Sequence, residues 1–310
     1  MITTLTLNPS LDKLLETDEI KVGETNRTRV LSLSAAGKGI DVAKVLRDLG
    51  CAVSATGFLG GDVADLFVRS FEEEKIENCF VPIRESTRTN IQLFEKNGRR
   101  TELLEKGPSV SEEERASLIE KFKHLAENSA AVTICGSVPG GISEDYFREL
   151  IRSAKLPGGF VIVDTSGVWL KSAVEEKPDL IKPNRIEMLG LMGREQAGDD
   201  EIIAFARKVV NDGIHYVLVS LGGDGAILIC SKGVWRGKVP DVPVKSTLGC
   251  GDSMVASLTV SLIEKHPPET MLLHSIALSA ANAMTFDTAH IHLNDYKKLL
   301  TECSVEKIDG

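Results

Sequence analysis

Short apolar strands alternating with amphipathic helices predict an α/β fold, a mainly parallel sheet covered on both faces. Three observations carry this expectation. The runs Ala131-Val132-Thr133-Ile134-Cys135, Phe160-Val161-Ile162-Val163, Asp179-Leu180-Ile181 and Tyr216-Val217-Leu218-Val219 are nearly continuous in apolar residues, as expected of strands buried on both faces. Helical patterns fill the stretches between them, over 111–128, 143–154 and 200–212, and such alternation belongs to sheets built from crossover units. Two segments, about 13–33 and 88–104, break the rhythm with alternating polar and apolar positions, as in Thr89-Asn90-Ile91-Gln92-Leu93-Phe94. They predict antiparallel strands with one solvated face, a small second sheet that is either a lid over a site or an edge extension.

Nearer the start, 52–56 reads as a strand and 61–75 as the helix that follows it. The 310 residues fit one large α/β domain, 1–310, with the two odd segments inserted in it. With 42% hydrophobic and 26% charged residues the composition is that of a globular chain, which excludes collagen, coiled coil and disorder as whole-chain descriptions. No apolar run approaches the roughly 20 residues that span a bilayer, so no membrane partner is expected. The first residues lack the basic start and long apolar core of a signal peptide, and the six cysteines form no Cys-x-x-Cys. Reduced thiols in a cytoplasmic protein are the expectation. A formal net charge of −9 repels nucleic acid, and an anionic small substrate would need a local cluster of cations. His290 and His292 form the one close histidine pair, with no nearby carboxylate or thiol to complete a metal site.

The strongest motif is Ser246-Thr247-Leu248-Gly249-Cys250-Gly251-Asp252-Ser253-Met254. A helical pattern over 254–263 follows it, so Gly249–Asp252 falls at a helix start, where unpaired N–H groups and the helix dipole favour an anion. A carboxylate there would accept a proton from a substrate hydroxyl while the amides hold phosphoryl oxygens. The same residues also suit a glycine turn with Asp252 as N-cap. A second motif, Lys182-Pro183-Asn184-Arg185-Ile186-Glu187, puts Asn184 and Glu187 on one face of a first helical turn. They suit either a hydrated Mg²⁺ or a capping box, and both can hold at once. Ala36-Gly37-Lys38-Gly39-Ile40-Asp41 enters a helical stretch at 42–49 and offers a lysine at a helix start, but it lacks the P-loop spacing. Ser220-Leu221-Gly222-Gly223-Asp224-Gly225 follows a strand. It is either a close approach to a ligand at the strand's carboxyl end or a hairpin turn into 226–230. Gly136-Ser137-Val138-Pro139-Gly140 is not a Gly-x-Ser-x-Gly elbow. Arg27, Arg29, Lys38, Arg88, Arg99 and Arg100 are candidates for the local positive field that an acidic protein needs around a phosphorylated substrate.

Taken together and in this order, the segments resemble the ribokinase-like (PfkB) carbohydrate kinases, from Leu5-Thr6-Leu7-Asn8-Pro9-Ser10-Leu11-Asp12 to Ala280-Ala281-Asn282-Ala283. Within that family Gly23-Glu24-Thr25-Asn26-Arg27, Gly57-Phe58-Leu59-Gly60-Gly61-Asp62, Thr87-Arg88-Thr89-Asn90-Ile91 and Gly136-Ser137-Val138-Pro139-Gly140-Gly141 look most like 1-phosphofructokinases and tagatose-6-phosphate kinases. The resemblance implies a three-layer α/β domain with a β-sheet lid that pairs in a homodimer, and ATP-dependent phosphorylation of a ketohexose phosphate to the bisphosphate. It implies Asp252 as base, with Gly249, Cys250 and Gly251 as the anion hole. Asp12, Gly39, Asp41, Asn90 and Ser137 would contact the sugar, and Lys38, Arg88 and Arg27 its phosphate. Lys182, Asn184, Ser220, Gly222, Gly225 and Asn282 would line the ATP side, and Asn184 and Glu187 would organise Mg²⁺. A monovalent cation near the hole also belongs to the family, though no residue here reveals one. Three departures from the family pattern stand out: Ala36 for Gly, Asp41 for Asn, and Cys250 for Ala. A carboxylate at 41 only accepts hydrogen bonds when ionised and adds negative charge near a phosphorylated substrate. The alternatives are a kinase of fructose 6-phosphate or of an unphosphorylated sugar, and a non-catalytic sugar-phosphate or nucleotide sensor on the same fold.

Overall fold

The structure, a computed structural model, describes residues 1–155, 158–286 and 288–309. In chain order its strands are β1 (Ile2–Thr6), β2 (Ser10–Thr17), β3 (Arg29–Ala36), β4 (Val53–Gly60), β5 (Glu77–Asn78), β6 (Val81–Ile83), β7 (Arg88–Glu95), β8 (Arg100–Leu104), β9 (Ala131–Cys135), β10 (Phe160–Asp164), β11 (Leu180–Ile181), β12 (Tyr216–Ser220), β13 (Ala226–Cys230), β14 (Gly233–Lys238) and β15 (Ser304–Asp309). The helices are α1 (Lys38–Asp48), α2 (Ala64–Glu73), α3 (Glu112–Glu127), α4 (Glu144–Ala154), α5 (Gly167–Glu176), α6 (Arg185–Met192), α7 (Asp199–Asn211), α8 (Cys250–Ile263), α9 (Pro268–Ala283) and α10 (Leu293–Glu302).

The large sheet runs β15-β14-β13-β12-β11-β10-β9-β1-β4-β5, with β6 paired to the far end of β4. It is parallel from β12 to β5 and antiparallel from β12 to β15. The inner parallel strands, from β4 through β1, β9, β10 and β11 to β12, bury both faces, and alternate residues go to separate cores. Ala131, Ile162 and Leu218 pack with α1, α2, α8, α9 and α10. Val132, Val161 and Val217 pack with α3 to α7 on the other side. Two cores back to back explain why the strands read as unbroken apolar runs. Burying a side chain such as Phe67 or Phe147 contributes about 1.5–3 kcal/mol. The α3 start, with Ser111 and Glu114 in a reciprocal capping box, shows how local chemistry fixes a helix boundary.

The small sheet has the order β3-β2-β7-β8. Two features correct the sequence expectation. Its strands reach inward to Ser10 and Ala36 rather than stopping at 13 and 33, so Asp12 lies on the lid sheet itself. The central pair, β2 and β7, is parallel, with Asp12 beside Asn90, while only the outer pairs are antiparallel. A parallel pair needs a long crossover, and the chain from β3 to β6 through the main sheet supplies it. Among the described residues no helix is long and apolar enough to cross a membrane, and all six cysteines are free.

Candidate active site

The glycine motif opens α8. Gly249, at φ +76°, is the N-cap, and Asp252 stands in the first turn, 7% exposed. Asp252 is therefore not the cap that the sequence also allowed: its Oδ1 is buried with no hydrogen-bond partner among the described residues. Burial, then the field of Asp41, pushes its carboxyl well above the usual range, while Lys38 and Lys182 pull back. A Cβ built on Gly251 would lie 3.3 Å from Lys182 Nζ, so an ammonium stands beside the first turn of α8. Asn282 Nδ2 donates to Leu248 O at 2.6 Å and to Cys250 Sγ at 3.5 Å. The thiol thus fits as an acceptor for Asn282, which ties down the loop entering α8.

Asp164, at the carboxyl end of β10, is the residue that the sequence reading missed. Its side chain is fully buried and bridges two cations from separate elements. Lys38 Nζ, from the start of α1, is 3.2 Å from Oδ2, and Lys182 Nζ, just past β11, is 3.5 Å from Oδ1. Asp164 holds Lys38 firmly protonated, helped by Asp252 and Glu187 and opposed by burial. The available signal was a charged residue ending an all-apolar parallel strand, because open α/β sheets place ligands at those strand ends.

The base of the small sheet supplies a second polar group. Ser10 Oγ and Asn90 Nδ2 both donate to Asp12 Oδ1, at 2.7 and 3.1 Å. Arg88 donates to Asn8 O, Pro9 O, Glu105 O and Ser137 Oγ, which fixes its guanidinium where the two sheets meet. Asp41 is 7% exposed, and burial raises its carboxyl, with Lys44 the chief opposing field. Lys44 Nζ lies 4.0 Å from Asp41 Oδ1 and donates to Ala35 O at 2.8 Å. Gly39 has a packing reason of its own, since a Cβ there would come within 2.4 Å of Thr6 Oγ1. Arg27 is not brought to this cluster. It lies exposed beside the turn at the other end of the β2–β3 hairpin, about 20 Å along the strand from Ser10. Three other candidate cations are occupied on the small sheet itself: Arg29 by Glu16, Arg99 by Glu95 and Arg100 by Glu102.

Across α8 from this cluster is a cavity of about 340 Å³ lined by Ser220, Gly222, Val242, Cys250, Gly251 and Ala280, among others. Its walls are mostly apolar, and it opens onto the glycine amides. Gly225 is not among its lining residues. Its φ is +86° and a Cβ would lie 2.0 Å from Gly237 O, so a close approach of β14 calls for glycine there. Asn184 and Glu187 form a complete capping box at the start of α6, with both bonds at 2.8 Å. Glu187 uses Oε2 for the cap, and its charge still reaches Lys38. The other carboxylate oxygen, Oε1, is of the type that suits a hydrated Mg²⁺. No group of three or more His, Cys, Asp or Glu among the described residues would hold a metal by itself.

The sequence matches the pfkB family carbohydrate kinase profile over residues 6–291. Among solved structures the chain is similar to phosphofructokinase-2 from Escherichia coli in complex with potassium, at 30% identity and a TM-score of 0.92, covering 97% of this chain and 98% of that one. The same E. coli protein in complex with fructose-6-phosphate superposes with a TM-score of 0.89 at 29% identity, over 97% and 98% of the two chains. A protein of Thermotoga maritima described as a possible 1-phosphofructokinase matches at 27% identity and a TM-score of 0.88, over 99% of each chain. With the doubly covered sheet, the small second sheet and a buried carboxylate at a glycine-capped helix start, these matches make the chain a sugar kinase, and it belongs to the pfkB family of carbohydrate kinases.

Proposed function

We propose that the chain transfers the γ-phosphoryl group of ATP to a hydroxyl of a phosphorylated ketohexose, giving the bisphosphate, with fructose 1-phosphate the first candidate and tagatose 6-phosphate the second. The observation that carries this reading is the buried, unpartnered Asp252 Oδ1 in the first turn of α8, with Lys38 and Lys182 anchored together on Asp164. The substrate hydroxyl would lie against Asp252, which takes its proton late in an in-line transfer. The amides of Gly249–Gly251 and the Lys182 ammonium receive the charge that gathers on the transferring oxygens. Lys38, held as a cation by Asp164, adds a fixed positive charge that needs no reorganisation during the reaction. Mg²⁺, when bound beside Glu187, neutralises nucleotide phosphate charge. The apolar cavity beyond Gly251 accommodates the base and ribose, with Ser220 and Gly222 at its rim.

A phosphorylated sugar is favoured by Arg88, whose guanidinium stands beside Ser137 and Asn8, and by the hydrogen-bonded Asp12–Asn90 pair for the hydroxyls. Fructose 6-phosphate is the alternative acceptor, supported by the complex of the E. coli relative with that sugar. The small sheet would close over the sugar and exclude water. Its exposed Val30, Leu31, Leu33, Leu103 and Leu104 support a homodimer formed through the lid. One assay of ADP release with ATP and Mg²⁺ against fructose 1-phosphate, fructose 6-phosphate, tagatose 6-phosphate, fructose and ribose tests the reading. A preference for one phosphorylated ketohexose of about 100-fold in kcat/KM is expected, about 2.7 kcal/mol of discrimination. A preference for an unphosphorylated sugar would overturn it.

A further inference from the structure

The loop between α9 and α10 carries a charge cluster that the chemistry above leaves unused. His290 Nε2 lies 3.1 Å from Glu74 Oε1, and its Nδ1 lies 3.5 Å from Asp48 Oδ2. Asp48 ends α1 and Glu74 follows α2, so one imidazole joins three separate elements. Asp48 Oδ2 also accepts the N–H of Ile291 at 3.0 Å. The cavity that His290 lines is also lined by Lys44 from α1, Arg69 and Glu73 from α2, Asp12 from β2 and Lys245 from the segment before α8, and the ring's charge is felt at Asp41 on α1. The two nearest carboxylates prevail and push the imidazole up to about 9, so the ring is a cation at neutral pH.

The residue before it shows what this clamp holds. Ala289 is fully buried and sits at φ +60°, a left-handed backbone that a non-glycine residue keeps only where its surroundings impose it. A Cβ built on Gly249 would lie 2.8 Å from Ala289 N and 3.2 Å from its Cα. The strained backbone is therefore pressed against the cap of α8. We propose that His290 is a positioning residue for phosphoryl transfer: its imidazolium, gripped by Asp48 and Glu74, holds Ala289 against Gly249 and so fixes the amides of Gly249–Gly251. This rests on reading those amides as the anion hole, and the test below separates the two claims.

His290→Gln removes the cation without touching a group assigned to either substrate. It is expected to lower kcat about tenfold while both KM values stay within about twofold, the pattern of an interaction felt in the transition state. In the wild-type enzyme kcat should fall as pH rises through about 9, because deprotonation releases the clamp, and His290→Gln should lack that limb. Glu74→Gln should move the limb about one pH unit toward neutrality, because it removes one carboxylate that favours the charged ring. Amide hydrogen exchange over 248–252 should quicken in His290→Gln even with no substrate present. Wild-type kcat, pH limb and exchange in His290→Gln would overturn the proposal. Faster exchange with unchanged kcat would overturn it as well, and would place the fault in the anion-hole reading rather than in the clamp. Should His290→Gln not fold, the position of the limb in Glu74→Gln decides alone, and an unmoved limb sinks the idea.

Discussion

The two flanks of the α8 N-terminus differ in kind. On one side Val239, Pro240, Val242, Val244, Met254, Ile276 and Ala280 make an apolar wall with a few polar atoms at its rim. On the other, Asp12, Asp41, Asp252, Asp164, Lys38, Lys44, Lys182 and Arg88 stand close enough that their charges shift one another. An apolar flank holds a ligand by excluding water, a kind of contact that tolerates small changes. The charged flank depends on balance, since removing one member leaves its partners buried without compensation. Perturbing each flank in turn breaks or sharpens this contrast.

The largest effect is expected at the junction. Asp252→Asn should lower kcat by about 10²–10⁴-fold and leave ATP binding near wild type, measured by titration calorimetry. Near-normal turnover would sink the assignment of Asp252 as base. Asp164→Ala comes next, because it strands the buried Lys182 and frees Lys38. A loss of about 3–5 kcal/mol in a denaturant titration is expected, and unchanged stability would mean that the bridge matters little. Arg88→Ala should raise the sugar-phosphate KM by roughly 10–150-fold, the worth of about 1.5–3 kcal/mol of charged hydrogen bonding, with the ATP KM unmoved. An equal rise in both KM values would erase the distinction between the flanks. On the apolar side Val244→Ala should raise only the ATP KM, by a few-fold, for the loss of about 1 kcal/mol of contact.

The smallest effect concerns pH. Burial and the Asp41 charge raise the Asp252 carboxyl, and a base must be ionised to work. In the free enzyme kcat/KM should therefore rise with pH through a midpoint above the ordinary carboxylate range. Asp41→Asn removes a negative neighbour, so that midpoint should fall. A pH profile identical to wild type would show that the two carboxylates do not sense each other.

Much of the frame was legible because local chemistry wrote it. The apolar runs at 131–135 and 216–219 appear as β9 and β12, and the capping box at Asn184 is where its spacing put it. The glycine motif announced a helix start, though α8 begins at Cys250, four residues earlier than the pattern at 254 suggested. Glycines at 249 and 251 hid the first turn from an apolar count. Asp164 went unread because nothing in its neighbours requires a charge. Its partners, Lys38 and Lys182, are 126 residues before it and 18 after it in the chain. Arg27 shows the converse, a cation that the β2–β3 hairpin carries to its far end, away from the cluster in the same chain.

The sequence by itself determined the layering, the boundaries of α3, α4 and α7 and the residue types available at one glycine-capped helix start. These follow from periodicity, capping and turn chemistry, which act over a few residues. Only the tertiary structure decided that β2 and β7 run parallel, that Asp164 binds two lysines, that Asn282 supports the thiol of Cys250, and that His290 ties three elements to the cap of α8. Each joins residues distant in the chain. Such pairings are set by how buried surfaces stack and by charges shifting one another at a few ångströms, and no local pattern encodes either.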